Sequence, residues 1–278
     1  MNIIGQTKLL KNINRLVEDS NMPRYIIISG SVGSGKKLIS AYIAKKLNAL
    51  FVPCDIGVDD VRQIIDISYQ LTEPTVYMFA DSNKMSVAAK NAVLKITEEP
   101  SQNAYFIMTT DNTDNLLNTL ISRGYLFNMM PYTFNELLEF ANSKYTDRSK
   151  EEISLIANLS NVPGDVISLA EKDIKQIDKI STILCTQIGK VNLANLLKIS
   201  TFLKFKESDE DKIDPNLFVK ACKLKLADIL LKDYNPLYSD LIGITSRYSA
   251  DLDTKSLNKQ SVVDNWLIDM HLKAVGGV

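Results

Sequence analysis

The chain has 278 residues, 45% hydrophobic and 23% charged, which is enough apolar material for a sizeable core and more than one domain. Lys and Arg number 32 against 33 Asp and Glu, a formal net charge of −1; composition therefore excludes a strong stand-alone nucleic-acid binder, although charge could still be segregated onto one face. Cys54, Cys185 and Cys222 are scattered with no C-x-x-C pair, which argues against a disulfide framework or a zinc site, and no stretch approaches the roughly 20 apolar residues of a membrane span, so a soluble cytoplasmic protein is expected.

Residues 6–18 place Leu9, Leu10, Ile13, Leu16 and Val17 on one helical face, and Asn21-Met22-Pro23 ends that helix. Tyr25 to Ser29 is an apolar, β-branched strand. It runs into Gly30-Ser31-Val32-Gly33-Ser34-Gly35-Lys36-Lys37, and Ile39, Ile43 and Leu47 then mark a helix over 37–48. Residues 51–54 read as a second strand and 58–69 as a helix with Asp59 and Asp60 in its first turn. A continuous apolar strand follows at 75–80, as expected where both faces of a parallel sheet are covered. Ser86 is an N-cap candidate for a helix that Pro100 stops. Strands at 104–109 and 125–130 flank a short helix marked by Leu116, Leu117, Leu120 and Ile121, and the alternation indicates a three-layer α/β domain with a five-stranded, mostly parallel sheet over 1–131. After Pro131 strand-like runs disappear. Thr133 with Glu136 and Ser149 with Glu152 read as capping boxes in a small helical unit over 132–175, with an internal turn at Asn161-Val162-Pro163-Gly164. Long helices fill 176–278, broken near the polar run 206–212, a solvated loop, and near Asn235-Pro236.

The glycine loop fits G-x-x-x-x-G-K, and strand, loop and helix give it the right context. Its backbone N–H groups and the helix N-terminus form an anion cradle, and Lys36 adds a point charge for terminal phosphates. The eighth position, which carries a Mg²⁺-holding hydroxyl in hydrolysing loops, is Lys37. A P-loop ATPase also needs carboxylates at the end of a neighbouring strand, and here that strand ends Phe79-Ala80-Asp81. An alanine in the metal carboxylate's place contributes no ligand, and an ammonium beside Mg²⁺ is repulsive. Asp81 reads equally as a lone replacement for the catalytic acid and as a strand-end cap. No metal site is expected; ATP or ADP held without efficient hydrolysis stays open, with Mg²⁺ only alongside a nucleotide, and so does a vestigial empty loop.

Residues 91–100, NAVLKITEEP, and 119–124, TLISRG, resemble the "NALLKxLEEP" and "TxxSRC" motifs of clamp-loader AAA+ subunits. Ile4-Gly5-Gln6 resembles that family's start, Val58-Asp59-Asp60-Val61-Arg62 its "VDxxR" segment, Tyr105 to Asp111 its sensor strand and Pro163-Gly164-Asp165 its lid turn. These segments run in family order over about the first 170 residues. The nearest type is the delta-prime subunit of bacterial DNA polymerase III, in a divergent form lacking that type's cysteine-rich zinc module.

The resemblance implies an AAA+ P-loop domain, a helical lid and an all-α C-terminal collar that oligomerises. It makes Arg123, next to Ser122, an arginine finger reaching in trans into a neighbour's ATP site, a role suited to a fork-shaped group that stays charged. On its own, Arg123 reads as half of an ion pair. Thr109 and Thr110 match the sensor position, Gly124 replaces the motif's cysteine, and Ile167 stands where hydrolysing relatives carry a lid arginine. The implied function is a non-hydrolysing clamp-loader subunit, with other AAA+ subunits, a sliding clamp and primer-template DNA as partners. The helix at 58–69 faces the clamp by resemblance and packs on the sheet by pattern. Rival readings are an active motor subunit, another AAA+ adaptor such as a helicase loader, and a free-standing DNA-binding module. His271, the single histidine, reads as packing, and Trp266 as a core anchor or a collar contact.

Overall fold

A computed structural model describes residues 3–99, 101–205, 212–254 and 256–276. Pro100 and most of the polar run, 206–211, lie outside the described residues. The elements are α1 (Thr7–Glu18), β1 (Tyr25–Ser29), α2 (Lys36–Lys46), β2 (Leu50–Cys54), α3 (Val58–Ser68), β3 (Thr75–Phe79), α4 (Val87–Glu98), β4 (Ala104–Thr110), α5 (Asn118–Ile121), β5 (Tyr125–Asn128), α6 (Phe134–Lys144), α7 (Lys150–Leu159), α8 (Pro163–Ala170), α9 (Ile174–Gln187), α10 (Leu193–Leu197), α11 (Pro215–Lys232), α12 (Pro236–Asp253) and α13 (Lys259–Ala274).

The strands form one sheet in the order β2-β3-β4-β1-β5, and every pairing is parallel. Strand alternation sends neighbouring residues to opposite faces. Ile26, Ile28, Val76, Met78 and Ile107 pack with Leu9 and Ile13 of α1 and Ile39 and Ile43 of α2. Tyr25, Ile27, Tyr77, Phe79 and Phe106 pack on the other face with Val61 and Ile65 of α3, Val93 and Ile96 of α4 and Leu120 of α5. Burial on both faces is why β1 and β3 read as unbroken apolar runs rather than alternating ones. The parallel arrangement places the glycine loop after β1, Ala80 after β3 and Thr110 at the end of β4 on one edge of the sheet, the edge where α/β sheets bind ligands.

Most caps follow from the sequence. Ser86 Oγ accepts from Ala89 N at 3.1 Å, and Thr133 and Glu136 form a reciprocal capping box. At α7 the expected box is half made: Ser149 Oγ accepts from Glu152 N at 3.2 Å, but the Glu152 carboxylate pairs with Arg148 and Lys175. Cations draw it away from a neutral backbone N–H. β3 ends at Phe79 and not at Ala80, because Asp81 turns into the left-handed region at φ 48° and starts a single 3₁₀ turn. β5 stops at Asn128.

The chain divides into two compact units, one comprising residues up to Thr146 with Ser160–Ser168, the other Asp147–Leu159 with everything from Leu169 onward. The second is helical among the described residues, with an isolated bridge between Leu203 and Ile213. Its centre is Trp266, fully buried, edge-on to Phe218 at 6.2 Å between ring centroids, its indole N–H donating to Thr245 Oγ1 at 3.2 Å. Trp266 is thus a core anchor. His271 Nδ1 lies 2.8 Å from the Ile188 carbonyl, an intramolecular packing contact. Cys185 and Cys222 are buried in this unit, whereas Cys54 in β2 is half-buried.

Candidate functional site

The sheet's C-terminal edge carries a cavity of about 670 Å³ built wholly from the first unit. Val32, Gly33, Gly35, Lys36 and Lys37 form one wall, Ala80, Asp81 and Thr109 the floor, and Pro163, Gly164 and Ile167 from the start of α8 another wall. Ile3, Ile4, Tyr132 and Phe140 close an apolar end. That volume and mix of apolar walls with a few convergent charges is typical of small-molecule sites.

Local backbone chemistry holds the loop open. Gly30 N donates to Thr110 O at 3.1 Å, and Met129 N to Ser29 O at 2.8 Å, fixing the loop's root between β4 and β5. Gly33 at φ 79° and Gly35 at φ 93° supply the left-handed turns that bring the chain into α2. The Gly33 carbonyl accepts from Gly164 N at 3.0 Å, and a Cβ on Gly164 would fall 2.6 Å from Gly33 Cα. Only glycine permits this backbone-to-backbone contact. It is stapled from behind by Asp165, whose carboxylate accepts from Asn161 N at 2.8 Å and Val162 N at 3.2 Å. Tyr132 donates its hydroxyl to Ser34 O at 2.9 Å, and burial pushes its phenol pKa up, so it stays a donor. Ser34 Oγ is buried beneath the loop and has no hydrogen-bond partner among the described residues.

Lys36 Nζ donates to Gly30 O at 2.6 Å and Ser31 O at 2.9 Å. Burial lowers its pKa, opposed by the charges of Asp81 and Asp111. Lys37 is exposed at the start of α2 and makes no hydrogen bond or ion pair among the described residues. Asp81 pairs with Lys84 at 2.8 Å, and its backbone N–H donates to Thr109 Oγ1 at 3.2 Å. Thr109 therefore faces the cavity, while Thr110 is buried and turned onto Asn112, donating to its carbonyl at 2.7 Å. The structure thus gathers the loop, Ala80, Asp81, Thr109 and Ile167 around one cavity, and separates Thr110 from it.

Arg123 lies elsewhere. It stands between α5 and β5, at the N-terminal edge of the sheet. β1 alone spans about 13 Å between the edges. Arg123 Nη2 pairs with Glu98 Oε1 at 2.9 Å, and both side chains are partly exposed. Ser122 Oγ donates to Thr119 O at 3.2 Å. A Cβ on Gly124 would fall 2.7 Å from Ile27 Cδ1 and 2.9 Å from Tyr25 Cε1, so Ile27 and Tyr25 fill the space that the motif's cysteine would need.

Known proteins resemble the chain across both edges. The family described as "DNA polymerase III, delta subunit" matches residues 53–133, a span holding Ala80, Asp81, Thr109 and Arg123 but not the glycine loop. The delta' subunit of DNA polymerase III from Haemophilus influenzae is 32% identical over 106 residues, covering 37% of this chain and 32% of that protein. The chain resembles the clamp-loader AAA+ subunits, delta-prime among them. The tau subunit of DNA polymerase III from Bacillus subtilis is 25% identical over 209 residues, 62% of this chain and 37% of that protein. The chain thus spans 32% and 37% of these two curated relatives. Among solved structures, the RuvB Holliday junction branch migration motor of Thermotoga maritima aligns with a TM-score of 0.53 at 18% identity, covering 83% of this chain and 77% of that one. The fold is therefore an α/β AAA+ domain with a helical C-terminal region, on a clamp-loader-like chain.

Sequence reasoning missed several members of the site. Ile3, Ile4, Tyr132 and Phe140 come from three separate segments and form no motif; only the position of Ile4 beside Gly5-Gln6 offered a signal. Lys84, the partner of Asp81, gave none beyond its i,i+3 spacing, and Glu98, the partner of Arg123, lies in the 91–100 motif, which did not itself point to the pairing. Val61 and Ile65 of α3 pack on the sheet as the pattern implies, while Ile67 and Tyr69 at its end are exposed.

Proposed function

We propose that this chain is a subunit of a clamp loader that hydrolyses little or no ATP itself and supplies Arg123 to the ATP site of a neighbouring subunit. The observation that carries the reading is the placement of Arg123 on the sheet edge opposite its own glycine loop. A guanidinium there cannot reach its own cavity, so a phosphate it serves belongs to another chain. Lys37, Ala80 and Ile167 line the chain's own cavity at the positions where the resemblance puts a metal-holding hydroxyl, a metal carboxylate and a lid arginine. The same resemblance makes the partners other AAA+ subunits, a sliding clamp and primer-template DNA, with DNA contact shared across the assembly and directed mainly to phosphates. Among the described residues no helix is long and apolar enough to cross a membrane.

Reconstitution with the cognate motor subunit, the clamp and primed DNA tests this. Arg123→Ala lowers ATP turnover by about 10³-fold or more, the scale of a trans arginine finger. Unchanged turnover and clamp loading would overturn the finger role. Mg²⁺-dependent turnover by this chain alone, lost in Lys36→Ala, would establish a motor subunit instead, and binding to a helicase without stimulation by a clamp would establish a helicase loader.

A further inference from the structure

The cavity fits a nucleotide but not the Mg²⁺ that usually accompanies one. A divalent ion there would need a hydroxyl at the start of α2 and a carboxylate after β3, and these positions hold Lys37 and Ala80. The nearby carboxylate of Asp81 is engaged by Lys84 at 2.8 Å. Among the described residues no group of three His, Cys, Asp or Glu side chains could hold a metal. The phosphate cradle is nevertheless built. The Gly33 carbonyl is tied up by Gly164 N, Lys36 Nζ sits across the loop on the Gly30 and Ser31 carbonyls, and Ile3, Ile4, Phe140 and Ile167 offer an apolar end for a base. Lys37 lines the same cavity, next to Lys36, with its ammonium uncommitted among the described residues.

We propose that this cavity binds a nucleoside di- or triphosphate without a divalent ion, and that Lys37 stands in for Mg²⁺. A nucleotide's phosphate tail carries several negative charges that must be balanced before it can be held in a half-enclosed site. Lys36, the N-terminus of α2 and the loop amides supply part of that balance, as in any such loop. Lys37 supplies the remainder from the position where the metal's ligand would project. An ammonium repels Mg²⁺ at short range, so a Mg²⁺–nucleotide complex fits this site less well than the free nucleotide. Asp81 and Asp111 are the acidic groups that act on Lys36, and the Asp81–Lys84 pair keeps the first of them from opposing the terminal phosphate. A cavity of this kind is a holding site. It gives the AAA+ domain a bound nucleotide as a structural element, with no metal to activate a leaving group. The inference does not rest on the clamp-loader reading and stands or falls separately from it.

Calorimetric titration of the full chain with ADP and with ATP, each in EDTA and in excess MgCl₂, tests the proposal. Binding in EDTA at least as tight as in MgCl₂ is the expected result. Lys37→Thr weakens binding in EDTA by about tenfold or more, the loss of one charge-assisted phosphate contact, and makes Mg²⁺ favourable to binding. Lys36→Ala abolishes binding in both conditions. Lys37 is exposed, so its replacement leaves the fold intact, which circular dichroism confirms for each variant. Binding only in the presence of MgCl₂ would overturn the role given to Lys37. No binding of either nucleotide in either condition would overturn the site itself.

Discussion

The two edges of the sheet in the AAA+ domain are built from opposite resources. The loop edge has a shaped cavity lined by two lysines, Lys36 and Lys37, with Ala80 and Asp81 on its floor. The arginine edge has a smaller pocket of about 380 Å³ with no glycine loop. It presents two guanidiniums, Arg24 stacked over the Tyr105 ring and Arg123 held by Glu98 beside a glycine packed against Ile27. Under the proposed function, the side chain that does chemistry lies at the arginine edge and the loop edge only holds a ligand, and strand polarity decides which edge is which. What this teaches is that a P-loop cannot be assigned a function from its own residues; the fate of the opposite edge has to be read with it.

The sharpest way to break the comparison is to alter one edge and read the other. Arg123→Ala, with its loss of about 10³-fold in turnover of the assembled complex, leaves nucleotide affinity of the isolated chain unchanged if the edges act independently. Gly164→Leu attacks the loop edge. Its side chain meets the Gly33 backbone, and overpacking of this kind costs about 1–3 kcal/mol, seen as a lower urea midpoint together with lost nucleotide binding. Gly124→Val is the matching insult at the arginine edge; it forces Ile27 and Tyr25 aside at a similar cost of about 1–3 kcal/mol and lowers partner stimulation while sparing nucleotide affinity. Glu98→Gln is milder. A partly exposed ion pair contributes about 0.2–1 kcal/mol, so thermal stability barely moves, while the freed Arg123 raises partner turnover by up to about fivefold. The smallest effect concerns pH. Burial lowers the Lys36 pKa, so its cationic form is lost earlier as pH rises than that of an ordinary lysine, and nucleotide affinity falls on titration from neutral to alkaline buffer.

Much of the fold was legible because its causes are local. β1 and β3 announce themselves as unbroken apolar runs, and Ser86 and Thr133 mark helix starts with their own side chains, each accepting from a backbone N–H; Asn235, read as part of a break, also caps a helix. The strand order was not legible, since pairing β1 between β4 and β5 depends on which faces pack together and not on any one segment. Boundaries failed where a backbone turn overrides pattern, as at Asp81. The candidate site divides in the same way. Its phosphate end is contiguous in sequence and could be read directly, whereas its apolar end is assembled from Ile3, Ile4, Tyr132 and Phe140, which only folding brings together. The Glu152 carboxylate carries the same lesson: the spacing for a capping box was present, and a nearby guanidinium decided where it went.

Ile27 has a consequence for how the two edges share the domain. It sits in the middle of β1, fully buried, pressed against Gly124 on one flank of the sheet, while Ser29 two residues on hands the chain to the glycine loop. β1 is bonded to β4 on one side and β5 on the other. A strand held on both sides within a close-packed core has little room to compress. It holds the loop's root and the backbone beside Arg123 at a fixed separation, so one edge can be altered without moving the other.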